Sequence, residues 1–159
     1  MTPRKPKTFH TSCQEQVYRT VAGILDELVD EHFDDVEHCD FYIKYGSTLL
    51  EISVDPYLED NAVIKIRAFC VQGVDPTREL MSELLRLNST IPLGAFSVVD
   101  DNIYFHHSFL GRDLVAEQLI ASLNSVASIA DEYDEWIVER YGGATALDRM
   151  RATSPQKTH

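Results

Sequence analysis

Apolar residues recur every three or four positions from Ser12 to about Phe33, at Val17, Val21, Ile24, Leu25 and Leu28, with polar and acidic residues between them. That spacing lays one apolar stripe along a helix. Ser12 is the expected N-cap, with Glu15 three residues on as its partner in a capping box. The period then drops to two. Phe41, Ile43 and Tyr45 alternate with Tyr42 and Lys44, and Gly46-Ser47 marks a turn. Leu50, Ile52 and Val54 alternate with Leu49, Glu51, Ser53 and Asp55 until Pro56 and Glu59-Asp60-Asn61 stop the run. A third run, 62–71, puts Ile64, Ile66, Ala68 and Cys70 on one side and Lys65 and Arg67 on the other. Three such strands with short links predict an antiparallel meander. Lys44, Glu51, Ser53, Lys65 and Arg67 would share its wet face, where opposite charges pair across strands.

The second half repeats the alternation of periods. Asp75 as N-cap and Pro76 at the first helical position predict a second helix. Its stripe is Leu80, Leu84 and Leu87, with Met81 and Leu85 beside it. It should end near Asn88, since Pro92-Leu93-Gly94 forbids continuation. Phe96 and Val98, a turn at Asp100-Asp101-Asn102, and Ile103, Phe105 and His107 predict a hairpin. Gly111 and Asp113 then introduce a long helix to about Tyr141, with Leu119, Leu123, Val126, Ala130, Tyr133 and Ile137 as its stripe. Gly142-Gly143 can end it, because glycine takes the left-handed conformation cheaply. The element order is α-β-β-β-α-β-β-α. It predicts an α+β fold: a five-stranded antiparallel sheet with helices mainly on one face.

At 159 residues and 44% hydrophobic content, the chain suits one domain with one core. The division expected is a flexible basic segment over 1–11, the domain over 12–143 and a flexible tail over 144–159. Net charge is -12, unevenly spread. Six of the fourteen basic residues lie in 1–10 and 149–159, which hold no acid, so the body between carries eight bases against 26 acids, a net -18. Such a field repels a phosphate backbone, so nucleic acid is not the expected partner. No apolar run is long enough to cross a bilayer, and the first eleven residues have no apolar signal region. The expectation is a cytoplasmic protein without a membrane partner. The cysteines, Cys13, Cys39 and Cys70, are odd in number and far apart, as for reduced thiols.

Several segments together resemble the YbjN family, whose fold is that of the type III secretion chaperones of CesT/Tir type. They are Leu84-Leu85-Arg86-Leu87-Asn88, Gly94-Ala95-Phe96, Asp101-Asn102-Ile103-Tyr104-Phe105, Ala130-Asp131-Glu132-Tyr133-Asp134 and Arg140-Tyr141-Gly142-Gly143. The likeness covers roughly residues 14 to 143 in element order. It implies a peptide-binding, chaperone-like or regulatory role without catalysis, and it transfers no functional residue. Asn88 reads as a helix terminator and Gly94 as a position that lets a strand begin close to that helix.

Residues 31–40, Glu31-His32-Phe33-Asp34-Asp35-Val36-Glu37-His38-Cys39-Asp40, hold two imidazoles, a thiol and five carboxylates, the best candidate for a metal. Their spacing matches no short zinc motif and lacks the central glycine of a calcium loop, so a frayed helix end and a solvated loop is the plainer reading. His106 and His107 are adjacent on a strand and point to opposite faces. Asp100 and Asp101 suit turn duty better than acid–base chemistry. Phosphate-binding, dinucleotide and nucleophile-elbow motifs are absent. No catalytic residue, metal ligand or cofactor is therefore assigned. What remains is the sheet face that helices leave free, where Tyr42, Leu49, Phe69, Val71 and Tyr104 form a candidate peptide-binding surface among charged neighbours. The function expected is a non-catalytic protein- or peptide-binding domain, a chaperone-like or regulatory adaptor, with a homodimer as one arrangement. The alternative is a metal- or small-ligand-binding sensor built around His38.

Overall fold

Seven strands, all antiparallel, form one sheet in the computed structural model, which describes residues 9–46 and 48–148. In chain order the elements are α1 (Ser12–Leu28), β1 (His32–Asp35), β2 (Asp40–Tyr45), β3 (Thr48–Tyr57), β4 (Asn61–Gln72), α2 (Arg78–Thr90), β5 (Ala95–Val99), β6 (Asn102–Leu110), α3 (Ala116–Tyr141) and β7 (Ala144–Thr145). Across the sheet the order is β1-β2-β3-β4-β6-β5, and β7 pairs with the end of β4. The predicted α+β class and element order hold, with β1 and β7 added to the five expected strands.

Period two sorts each strand into two faces. Phe41 and Ile43, Leu50, Ile52 and Val54, Ile64, Ile66 and Ala68, and Phe105 are fully buried or nearly so. Register brings them together: Phe41 lies beside Ile52, Ile52 beside Ile66, and Ala68 beside Phe105. The stripes of α1 (Val17, Val21, Leu25) and α3 (Leu119, Leu123, Val126, Ala130, Ile137) pack on that face. Each aliphatic side chain taken wholly out of water there contributes about 1.5–3 kcal/mol. The second helix, α2, lies along the outer strand β5, with Leu80 and Leu84 turned into the core.

Helix starts fall later or earlier than the local signals suggest. The N-cap of α1 is Thr11, whose Oγ1 accepts from the Gln14 amide at 3.0 Å. Gln14 is the reason. Its side chain is buried, accepts from the His10 amide at 2.9 Å, and donates through Nε2 to the Val54 carbonyl at 2.9 Å. The capping pair is therefore Thr11 with Gln14. For α2 the cap is Thr77, whose Oγ1 accepts from Leu80 N at 3.2 Å, while Asp75 uses its carbonyl to accept from Thr77 N at 2.8 Å. Asn88 is no terminator. It sits inside α2, and its amide donates to the Phe96 carbonyl at 3.1 Å and accepts from the Phe96 N–H at 2.7 Å. One side chain thus satisfies the backbone groups of an edge strand. Gly94, with φ +96, is needed against β6 and not against the helix: a Cβ there would lie 2.7 Å from the His106 carbonyl oxygen.

The strand β3 runs through Pro56 to Tyr57. Its partner β2 reaches only as far as Ser53, so beyond that point the missing N–H of proline breaks no ladder bond on that side. At the other end, Gly142 closes α3 with φ +85 and its N–H donates to the Val138 carbonyl at 2.9 Å. The two ends of the domain reach further than expected. Phe9 packs on the Tyr18 ring at 5.4 Å, and Ala144–Thr145 pairs with Gln72 and Val71. Of the predicted flexible segments, residues 1–8 and 149–159 lie outside the described residues. Among the described residues, no helix is long and apolar enough to cross a membrane.

Candidate functional site: the open face of the sheet

The helices leave the second face of the sheet uncovered, and register arranges its side chains in rows. The central row reads Phe33, Tyr42, Glu51, Arg67, His106 and Ala95, from β1 to β5. On one side of it Phe69 faces Tyr104, which faces Ser97, and Lys44 faces Leu49. On the other side run Asp40, Ser53, Lys65 and Ser108, followed by Asp55, Val63 and Leu110. Four of the five residues expected on this surface are on it: Tyr42, Leu49, Phe69 and Tyr104. All four are partly shielded, Tyr104 most of all at 9% exposure.

Val71 is the exception and is withdrawn from the surface. A bulge between Phe69 and Val71 shifts the pairing with β6, and β7 lies against the same stretch of β4. Val71 is fully buried in the core as a result. A bulge puts an extra residue into one strand and breaks strict alternation, which sequence period alone does not reveal.

Arg67 organises the centre of the face. Its Nη2 donates to both carboxylate oxygens of Glu51, at 3.0 and 2.9 Å. The guanidinium lies 4.7 Å from the Tyr104 ring centroid and 5.8 Å from that of Phe69, and the two rings meet edge to face at 4.9 Å. Stacking of this kind fixes a long side chain that would otherwise be mobile. His106, directly across from Arg67, is held below the ordinary imidazole range, first by burial, then by the positive charges of Lys65 and Arg67 and by His107. Tyr42 is pushed upward by burial, then by the Glu51 carboxylate.

Three of the large apolar residues most exposed to water also belong to this face, at its margins: Phe33 (66% exposed) on β1, Leu110 on β6 and Val99 on β5. Hydrophobic periodicity picks out none of the three. Phe33 is hidden because its segment reads as a helix end. The signal that could reveal it is Phe33 and Phe41 flanking turn-forming Asp34-Asp35 and Asp40.

The histidine–acid segment is a hairpin, β1 to β2, not a frayed helix. His32 bonds Asp34 through Nδ1 and Asp26 through Nε2, the latter at 2.6 Å, and His38 bonds Asp35 at 2.6 Å. Among the described residues no three His, Cys, Asp or Glu side chains come together as metal ligands would. The thiol of Cys70 is buried, and burial drives its pKa far upward. His107 faces the helix side and packs near Phe109, so the two adjacent histidines do point apart. A cleft of about 430 Å³ lies between the second half of α3 and β7, lined by Thr48, Phe69, Asp131, Asp134 and Asp148 among others. Burial, and after it the charges of Asp131, Glu135 and Asp148, raise the Asp134 carboxyl against a hydrogen bond from the Glu135 N–H.

Residues 15–149 match the family model TY-Chap1, described as T3SS (YopN, CesT) and YbjN peptide-binding chaperone 1. No curated protein sequence matches the chain. Solved structures that share its fold include two. One is a chain in the HopA1-SchA chaperone–effector complex, with 12% identity, a TM-score of 0.61, and 79% of this chain and 98% of that one covered. The other is YbjN from E. coli, with 15% identity, a TM-score of 0.52, and 77% and 93% covered. At these identities the likeness concerns the fold alone.

Proposed function

The chain belongs to the TY-Chap1 family of peptide-binding chaperones, and on that premise we propose that it holds an extended segment of a partner protein across the open face of its sheet. The observation that carries this is the face itself. Strands β2, β3 and β4 present Tyr42, Leu49 and Phe69 as a half-buried floor beside the buried ring of Tyr104 on β6, with Phe33, Val99 and Leu110 exposed around it. Faces that mix aromatic and charged groups suit protein contacts, and aromatic anchors supply most of the energy in such contacts. The face does not need to move to receive a strand-like or looped segment, because Arg67, Glu51 and the two rings are already fixed against one another. We place this work in the cytoplasm, in keeping with cysteines that form no disulfide.

The test compares partner recovery by tagged wild type and by two variants. Phe33→Asp with Leu110→Asp changes exposed positions on the open face; Leu85→Asp changes an exposed position on α2. The proposal expects partner loss from the first variant and none from the second. Equal recovery from all three, or loss only from Leu85→Asp, overturns it.

A further inference from the structure

Charge divides the open face in two. The strands β4, β5 and β6 contain no acidic residue at all, in a body with 26 acids against eight bases. Strands β1, β2 and β3 contain five, of which Asp35, Asp40, Glu51 and Asp55 lie on the open face and Asp34 lies on the closed side beside Phe41. Of the body's eight basic residues, three (Lys44, Lys65 and Arg67) point to the open face. Lys65 stands near its middle, exposed, with Ser53 on one side and Ser108 on the other in register. Among the described residues it forms no ion pair, whereas Arg19, Arg67, Arg86 and Arg112 each do. The hydrogen bonds of Arg67 to Glu51 leave from Nη2 alone. His106 lies across from Arg67, on the same face of β6 as Ser108. Two cations, serine hydroxyls and two aromatic rings therefore share one strip, and the acids of the face, Asp35, Asp40, Glu51 and Asp55, all lie on β1–β3.

We propose that the segment bound on this face is acidic and aromatic, with its carboxylates on the β4–β6 strip at Lys65, Arg67 and His106 and its apolar side chains on Phe69 and Tyr104. This rests on the reading of the open face as the binding surface and names the chemistry of its occupant. Charge complementarity is the ground. A carboxylate on Lys65 gains a charge-assisted bond that a neutral side chain does not, and Lys65 and Arg67 repel a basic side chain placed on the strip. Nucleic acid would meet the same cations, but its regular row of phosphates would also meet the acids of β1–β3. The occupant fits best with its negative groups at one end and neutral or basic ones at the other.

The probes are three labelled ten-residue peptides in which phenylalanine alternates with glutamine over one half and with glutamate, glutamine or lysine over the other. Fluorescence anisotropy on the full chain reads their affinities. The glutamate peptide is expected to bind about tenfold more tightly than the glutamine peptide, with the lysine peptide weakest. Lys65→Gln should weaken the glutamate peptide most and bring the glutamate and glutamine peptides within about twofold of each other. A glutamine peptide that binds as well as the glutamate one overturns the acidic occupant and leaves the surface reading standing. Binding of no peptide at all overturns both. A twelve-residue oligothymidylate that binds as tightly as the glutamate peptide shows a general anion site and also overturns the proposal. So does a dimer, seen in sedimentation, that Phe33→Asp splits.

Discussion

Ile66 and Arg67 are neighbours in β4 with opposite surroundings. Ile66 is wholly buried, beside Ile52 and His107 and under the helices. Arg67 is a third exposed, pinned by Glu51 and two rings on the side that no helix covers. The same pair of environments repeats along every central strand. One face is closed, apolar and supplies the stability of the fold. The other mixes rings with charges and stays accessible. A sheet that needed only to fold would carry plain polar groups on its wet side. Here the wet side holds Phe33, Tyr42, Leu49, Phe69, Tyr104, Val99 and Leu110, the residues that the proposed partner segment would cover.

Substitutions should separate the two faces. The largest effect belongs to the closed one: Ile66→Ala is expected to cost about 2–5 kcal/mol of stability in urea denaturation. Lys65→Ala, one residue away, should change it by no more than about 0.5 kcal/mol. Next comes the edge. Asn88→Ala removes both bonds to Phe96 and should cost about 1–3 kcal/mol, since it leaves a backbone donor and acceptor without partners. An unchanged midpoint would show that water replaces the asparagine fully.

The hairpin at the other edge gives a smaller, pH-dependent effect. Burial lowers the His32 pKa, but the bonds to Asp26 and Asp34 outweigh it and raise the value above 6.5. A raised pKa means the folded protein holds the proton more tightly than the unfolded chain. The stabilisation is therefore complete below pH 6.5 and fades as pH rises through the folded value. The stability gap between wild type and His32→Gln should narrow as pH rises from 6.5 through the folded value, and a gap that widened would contradict a raised pKa. Smallest of all on the folding side, Phe33→Asp should move stability by about 0.5 kcal/mol or less while abolishing partner binding.

Much of this division is legible in the amino-acid order. The alternation of Leu50, Ile52 and Val54 with Leu49, Glu51 and Ser53 fixes both faces of β3, and the pairing of Glu51 with Arg67 follows from two adjacent strands in a meander. What the pattern conceals has physical causes. The strand β1 is short, acidic and only half shielded, so it carries no apolar alternation. The strand β7 is two residues long and exists because β4 offers it an edge. Val71 changes sides at a bulge. Thr11 and Thr77 take the caps in place of Ser12 and Asp75 because Gln14 and Leu80 are anchored by tertiary contacts that local preference does not contain. On the binding side, Tyr42, Leu49, Phe69 and Tyr104 are readable from period two. Phe33, Leu110, Val99 and the acid-free strip become visible only with the strand order.

Two exposed serines allow the plainest comparison of the faces: Ser108 on the open side of β6 and Ser128 on α3. A photoreactive side chain placed at each in turn, followed by irradiation in the expressing cell and mass spectrometry, reports which side a partner touches. The partner should be captured from position 108 and not from 128. Capture from 128 with none from 108 would put the binding surface on the helices and contradict the account.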